Sequence, residues 1–353
     1  MFRFSKIFVF AICLLFIQTI NANWIKQSSN TLAWLHDVYF FDESKGFIAG
    51  SSGTFLETKN GGKTWAKRKN FTEDTILQIA FLDNSNGWLL CERNIYNRGA
   101  SSSSYLLKTN DGGENWEKIE FKDSGRARIT KIFFNANGKG FAIGENGTLL
   151  ELHNDGQTWK KSTSPIRFLL LDGFFTDEKK TLLFGGSGSI LFSDDLGVTW
   201  NNANVFGEKP AKFNAAFFIN QKNGWAVGTN GKIFQTVSGG KTWREQTSGI
   251  SNGLNDVFFL NTAEGFAVGN DGTILHTKTA GNIWVSEKTN IKHRLEKILF
   301  VGNKGFAVGF GGTILSYDRN PGSQNINKPI LRSKESFSRK KYSLNLTDKE
   351  DFS

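Results

Sequence analysis

Cysteine, proline, methionine, histidine and tyrosine are all scarce, with 2, 4, 1, 4 and 5 copies in 353 residues. Each shortage excludes something. Cys13 lies in an apolar leader with no lipobox before it. Removal of that leader would leave Cys91 alone, so no internal disulfide is expected and the fold must hold by packing. Four histidines without ligand spacing beside one mature cysteine argue against a metal centre. The glycine-rich turns join strand to strand, so they are not phosphate-binding loops, and no cofactor is expected. Long apolar runs are absent too: the longest, Ile7 to Ile20, has about 14 residues, which is short for crossing a bilayer. With Arg3 and Lys6 before it and Ile20-Asn21-Ala22 after it, residues 1–22 read as a secretory signal, an uncleaved anchor being the alternative.

Glycine (38) and phenylalanine (33) are abundant instead, a mixture suited to many short strands joined by glycine turns. They fall in a repeat. Gly265-Phe-Ala-Val-Gly269, Asn-Asp-Gly272, Thr273-Ile-Leu-His-Thr277 and a turn closing on Trp284 are restated from Gly46 to Trp65, Gly140 to Trp159 and Gly224 to Trp243. Weaker copies run from Gly87 to Trp116 and from Leu182 to Trp200, and another starts at Gly305 without reaching a tryptophan. The starts lie roughly 40 to 43 residues apart, the period of a four-stranded propeller blade. Each unit opens on a dense apolar run such as Val257-Phe258-Phe259, expected to be the innermost strand A, covered on both faces. The Gly-Phe-Ala-Val-Gly element is strand B, and Asn-Gly or Asp-Gly makes a tight turn into strand C.

The turn from C to D resembles the Asp-box, or bacterial neuraminidase repeat. It reads Thr58-Lys-Asn-Gly-Gly-Lys-Thr-Trp65, Thr109-Asn-Asp-Gly-Gly-Glu-Asn-Trp116 and Ser193-Asp-Asp-Leu-Gly-Val-Thr-Trp200, with further copies ending at Trp159, Trp243 and Trp284. A short polar side chain (Asn60, Asp111, Asn154, Asp195, Ser238) is suited to bonding turn N–H groups. The tryptophan would bury its ring between blades. These acids are therefore expected to be structural. The absent last tryptophan reappears in Asn23-Trp24-Ile-Lys, so residues 23–27 are expected to supply the outer strand of the last blade and close the ring. The fold class is thus all-β, a seven-bladed β-propeller over residues 23–318. The stretch 319–353, with Arg332, Lys334, Arg339, Lys340 and Lys341, reads as a basic tail, either a tether to an acidic surface or an ordinary solvated terminus.

In such a ring the A–B and C–D turns share one face, and the D–A and B–C connections share the other, around the channel mouth. Two irregularities fall on this second face. One is a long B–C insertion from Glu92 to Ser104, carrying Arg93, Tyr96, Arg98 and four serines. The other is a basic approach to several A strands: Arg126 and Arg128, Arg167, Lys209 and Lys212, and Lys292, His293 and Arg294. Counting back six residues from the last phenylalanine of strand A makes Arg128, Lys212 and Arg294 equivalent. A patch of Arg93, Arg98, Arg126, Arg128, Arg167, Lys212 and Arg294 would suit an anionic or carboxylate-bearing partner, the alternative being scattered solvation charge on a chain of net charge +10.

Catalytic constellations do not stand out. No tyrosine–glutamate pair accompanies the arginines as in a sialidase, and Tyr39 is the one tyrosine in an expected strand A. The adjacent Glu73 and Asp74 are most simply solvated rather than a glycosidase pair. The repeat as a whole, from about residue 24 to 317, resembles the photosystem II stability and assembly factor family. That resemblance implies a non-enzymatic, exported, seven-bladed propeller in the thylakoid lumen that holds newly made reaction-centre protein, with an arginine-rich binding patch to which Arg126, Arg128, Arg167 and Arg294 would correspond. A periplasmic, monomeric scaffold for a membrane-protein complex, peripherally associated and binding no nucleic acid, is the broader expectation. A glycan-directed propeller, either a diverged sialidase-like hydrolase or a lectin, is the alternative.

Overall fold

The computed structural model describes residues 24–94, 102–135, 137–153 and 158–319. The segment expected to be an export signal, Tyr96, Arg98, the box turn at Asn154 and the stretch beyond Arg319 lie outside them. Seven sheets of mainly antiparallel strands follow one another around a ring, and within each repeat the strands run in sequence order from the innermost outward. In blade 6 the strands are Leu254–Phe259, Gly265–Gly269, Ile274–Thr277 and Val285–Ser286. The inner three are almost wholly buried and the outer one is exposed. The ring closes as the displaced Trp24 implies. Ile25–Gln27 pairs with Thr313–Asp318, Ile25 opposite Ser316, and Trp24 packs on Phe266, Phe300 and Tyr317. One blade departs from four strands. Asn204–Phe206, from the connection into blade 5, adds a parallel fifth strand outside Thr242–Gln246.

The repeated residues have local causes. Gly265 leaves room for the ring of Phe259, which would lie 2.6 Å from any Cβ there. In the B–C turn Asp271 and Gly272 both have positive φ (53° and 68°), and Thr273 N–H donates to the Asn270 carbonyl at 3.0 Å. The next D–A connection crosses this turn so closely that a Cβ on Gly272 would sit 1.9 Å from the Ile291 carbonyl oxygen. Gly272→Ala combines backbone strain with that collision. It is expected to cost about 2–4 kcal/mol, read as a lower urea midpoint, whereas Gly249→Ala, with open space around it, should cost less.

The box turns are built from their own side chains. Thr109 Oγ1 accepts from Gly113 N–H (2.9 Å), and Asp111 Oδ1 accepts from the N–H groups of Glu114 and Asn115 (3.0 and 2.9 Å). Asp195 likewise accepts from the Thr199 N–H and hydroxyl (2.8 and 2.6 Å), and such bonds, led by those from Asn115 and Thr199, pull the pKa of Asp111 and of Asp195 down to about 2. In the last box Thr279 occupies the acid position and does the same with Ile283 N–H at 2.9 Å.

A charged seam joins blade 6 to the end of blade 7. His276 lies flat on Phe266 (ring centroids 4.0 Å apart) between Glu287 and Glu264, at 2.9 and 3.2 Å, and Arg319 caps Glu264 at 2.7 Å. Arg319, read in sequence as the head of the tail, is thus buried, with its N–H on the Asn303 carbonyl. Burial alone would lower the His276 pKa. The two carboxylates outweigh it and hold the imidazole above its ordinary value. Burial likewise opposes ionisation of Glu264, but His276 and Arg319 keep its pKa below the usual range. The imidazolium therefore stabilises the fold below about pH 6.5, and that stabilisation is lost as pH rises through the raised pKa. Glu264 acts in the opposite sense, its contribution vanishing as pH falls through its lowered pKa. The melting temperature should accordingly decline from about pH 6 to 8, and His276→Asn should flatten that slope. An unchanged slope in the variant would remove His276 as its source.

Candidate partner-binding face

Hydrogen bonds assign the connections to faces. In six of the seven blades the first N–H of the B–C turn donates to the carbonyl just before strand A: Ser51 to Trp34, Glu145 to Arg128, Gly186 to Leu169, Thr229 to Lys212, Asn270 to Gly253 and Phe310 to Arg294, at 2.7–3.2 Å. D–A and B–C connections therefore meet on one face, and Arg128, Lys212 and Arg294 occupy equivalent places. On the opposite face the C–D turns bond to the A–B turns, as in Gly61 to Ser44 and Gly239 to Lys222 (2.8 and 2.9 Å).

All seven A strands line the channel, which encloses about 210 Å³ among residues such as His36, Gln78, Thr130, Asn214 and Asn255. Its wall is a belt of bonds from blade to blade. Asp37, Asp172 and Asp256 are buried and accept from Ile79, Ala216 and Ile298 N–H of the following blade at 2.8, 2.8 and 3.0 Å. Gln78 exchanges both amide bonds with Ile132. Lys131 pairs with Asp172 and Lys297 with Asp256, each at 3.2 Å. The channel wall is thus polar and internally paired.

Cations on the rim fall into three groups. Arg126, Arg167 and Lys212 are exposed and make no ion pair among the described residues, as does Lys209 beside them. They follow one another over the approaches to blades 3, 4 and 5. Arg128 and Arg294 are partly neutralised, Arg128 by Glu92 and Glu145 (both 3.4 Å) and Arg294 by Glu296 (2.6 Å). Arg93 corrects its expectation: it is buried, paired with Glu120, bonded to the Ser102 carbonyl and stacked 4.8 Å from Tyr105. Arg98 lies outside the described residues. Asp74, expected in solvent, instead accepts from Asn94 N–H and from the Tyr105 hydroxyl, both at 3.0 Å.

The serines of the insertion hold the approach to blade 3. Ser102 Oγ meets Ser124 Oγ at 2.8 Å, Ser103 Oγ donates to the Arg126 carbonyl at 2.9 Å, and Ser104 Oγ accepts from Ile129 N–H at 3.0 Å. The insertion thus fixes the backbone that carries Arg126 and Arg128. At the channel mouth, burial first, then Arg294 and Arg128, lower the His36 pKa to about 4, so this imidazole is neutral at pH 7.

The sequence model described as photosynthesis system II assembly factor YCF48 matches residues 17–95, 90–153, 151–237 and 213–288, most of the chain. The chain belongs to the YCF48 family. A photosystem II assembly lipoprotein Ycf48 from Picosynechococcus sp. is 27% identical over 289 residues, covering 68% of this chain and 83% of that protein. A solved YCF48 bound to a D1 peptide superposes with a TM-score of 0.69 at 20% identity, covering 84% of this chain and 95% of that one. The virginiamycin B lyase of Staphylococcus aureus shares the fold as well (TM-score 0.68, 12% identity, 85% of this chain and all of that one), so the architecture also carries enzymes.

Proposed function

We propose that this YCF48-family chain is an exported, non-enzymatic scaffold that binds a segment of a membrane-complex subunit across the channel-mouth face. The observation that carries the reading is the run of Arg126, Arg167 and Lys212, exposed and without an ion pair among the described residues, over three successive approaches on that face. The peptide bound by a solved YCF48 supports a protein ligand, and the relatives' names support assembly of a photosystem II-type complex. Arg128 and Arg294 flank the mouth as a second, partly neutralised pair. On this reading residues 1–22 are an export signal and 23–318 the propeller, with Arg319 fixed against Glu264 and the residues after it a tail. The mature protein is a monomer in the periplasm or thylakoid lumen, peripherally associated with the membrane.

The test is capture from detergent-solubilised host membranes, with Arg126→Glu/Arg167→Glu/Lys212→Glu as the comparison bait. All three side chains are exposed, so the variant should fold. Capture of a membrane subunit is expected to fall at least about ten-fold in the variant, and wild-type capture to weaken steeply above about 0.15 M salt. Equal capture by both baits at low salt would overturn the assignment of the face.

A further inference from the structure

At the junction of blades 7 and 1 the same face changes character. Phe310 opens the B–C turn of blade 7, where the equivalent residues are Ser51, Glu145, Gly186, Thr229 and Asn270. Its side chain is 47% exposed and meets Trp34 edge to face, 5.5 Å between ring centroids. Trp34 holds the position where other blades carry Arg128, Lys212 and Arg294. His293 packs on Phe310 at 5.8 Å, and the Arg294 guanidinium lies 5.7 Å over the Trp34 ring. His36 lies on the inner side of Trp34 at 5.3 Å and lines the channel cavity, so this aromatic shelf runs into the channel mouth. Leu32, two residues before Trp34, is 89% exposed.

We infer that the Trp34–Phe310 shelf is an anchor subsite that seats an apolar side chain of the partner's segment. The inference rests on the proposed function and adds a specificity element to its face. Three features identify the occupant as an extended acidic peptide carrying an aromatic or large aliphatic residue. The shelf is apolar and half open, which suits a side chain and not a charged group. Arg294 beside it is held by Glu296, and His36 is neutral, so neither adds a free charge to the shelf. Beyond the channel mouth stand Arg126, Arg167 and Lys212, which make no ion pair among the described residues and favour carboxylates on the same ligand. Aromatic anchors surrounded by polar contacts are where binding energy concentrates in protein interfaces, and the shelf has that composition.

The two subsites differ in their response to salt, and this separates them. Phe310→Ser removes apolar contact from an exposed turn without touching the channel belt, and Phe310→Tyr retains the ring. The bait captures a subunit from solubilised membranes, mass spectrometry identifies it, and its binding to each variant is measured at about 0.05 and 0.5 M salt. Phe310→Ser should weaken binding about ten-fold or more at both salt concentrations, Phe310→Tyr should bind nearly as wild type, and the Arg126/Arg167/Lys212 variant should lose binding mainly at low salt. Benzoylphenylalanine at position 310 should cross-link to an apolar residue close to acidic ones in the captured subunit. If Phe310→Ser binds like wild type while the cationic variant does not, the shelf is no subsite and the proposed function stands. If wild type captures no subunit that the cationic variant loses, the proposed function fails and the shelf falls with it.

Discussion

Trp243→Ala is expected to destabilise the ring by about 3–5 kcal/mol, more than any other single truncation of a box residue. The indole is fully buried and its Nε1–H donates to the Gly240 carbonyl at 2.9 Å. Phe184 of blade 4 and Phe218 of blade 5 stand edge-on to it, 5.6 and 5.8 Å between centroids, each at 89°. The side chain therefore fills the gap between two blades. Alanine would leave a cavity bounded by rigid strands that cannot collapse into it. Trp243→Phe should recover part of the loss by restoring most of the apolar contact. Urea unfolding followed by fluorescence and by circular dichroism would measure it. A loss below about 1 kcal/mol would mean that the tryptophan is not what joins the blades.

The second large effect concerns the channel belt. Lys297→Met is expected to cost about 3 kcal/mol because it leaves the buried Asp256 without its cation. Lys297 Nζ lies 3.2 Å from both Asp256 oxygens, and Oδ2 also accepts from Ile298 N–H of blade 7 at 3.0 Å. The carboxylate is thus both a partner for lysine and a bracket between blades 6 and 7. Adding Asp256→Asn to Lys297→Met removes the stranded charge and should return about half of the loss. Thermal unfolding of the four proteins in the cycle decides it. Additive losses would show that the pair is not coupled, and the belt would then owe its order to the backbone bonds alone.

The repeat made much of this legible. Strand order, box turns and ring closure were readable because the same local problem is solved in blade after blade. Arg128, Lys212 and Arg294 all lie six residues before a phenylalanine because the bond from the B–C turn to the carbonyl before strand A recurs at that place in their blades. The same count lands on Trp34, a cue to the shelf that a search for basic residues passed over. Arg93 was misplaced because charge and loop position do not reveal that Glu120, Ser102 and Tyr105 enclose it. Asp74 was misread for the same reason: two strands separate it in the chain from its partners Asn94 and Tyr105.

By itself, the sequence determined the blade, its turns and the need for the two ends of the chain to meet. The blade and its turns follow from interactions within about 40 residues, which periodicity records, and closure follows from the outer strand that the last repeat lacks and residues 23–27 supply. Only the tertiary structure decided which cations stay free. A rim arginine is neutralised or not according to a carboxylate on another connection, as Glu92 and Glu145 do for Arg128 and nothing among the described residues does for Arg126. It also decided that Trp34 and Phe310, near opposite ends of the propeller sequence, form one surface. They become neighbours because closure brings blade 7 against blade 1, a contact with no local pattern to betray it.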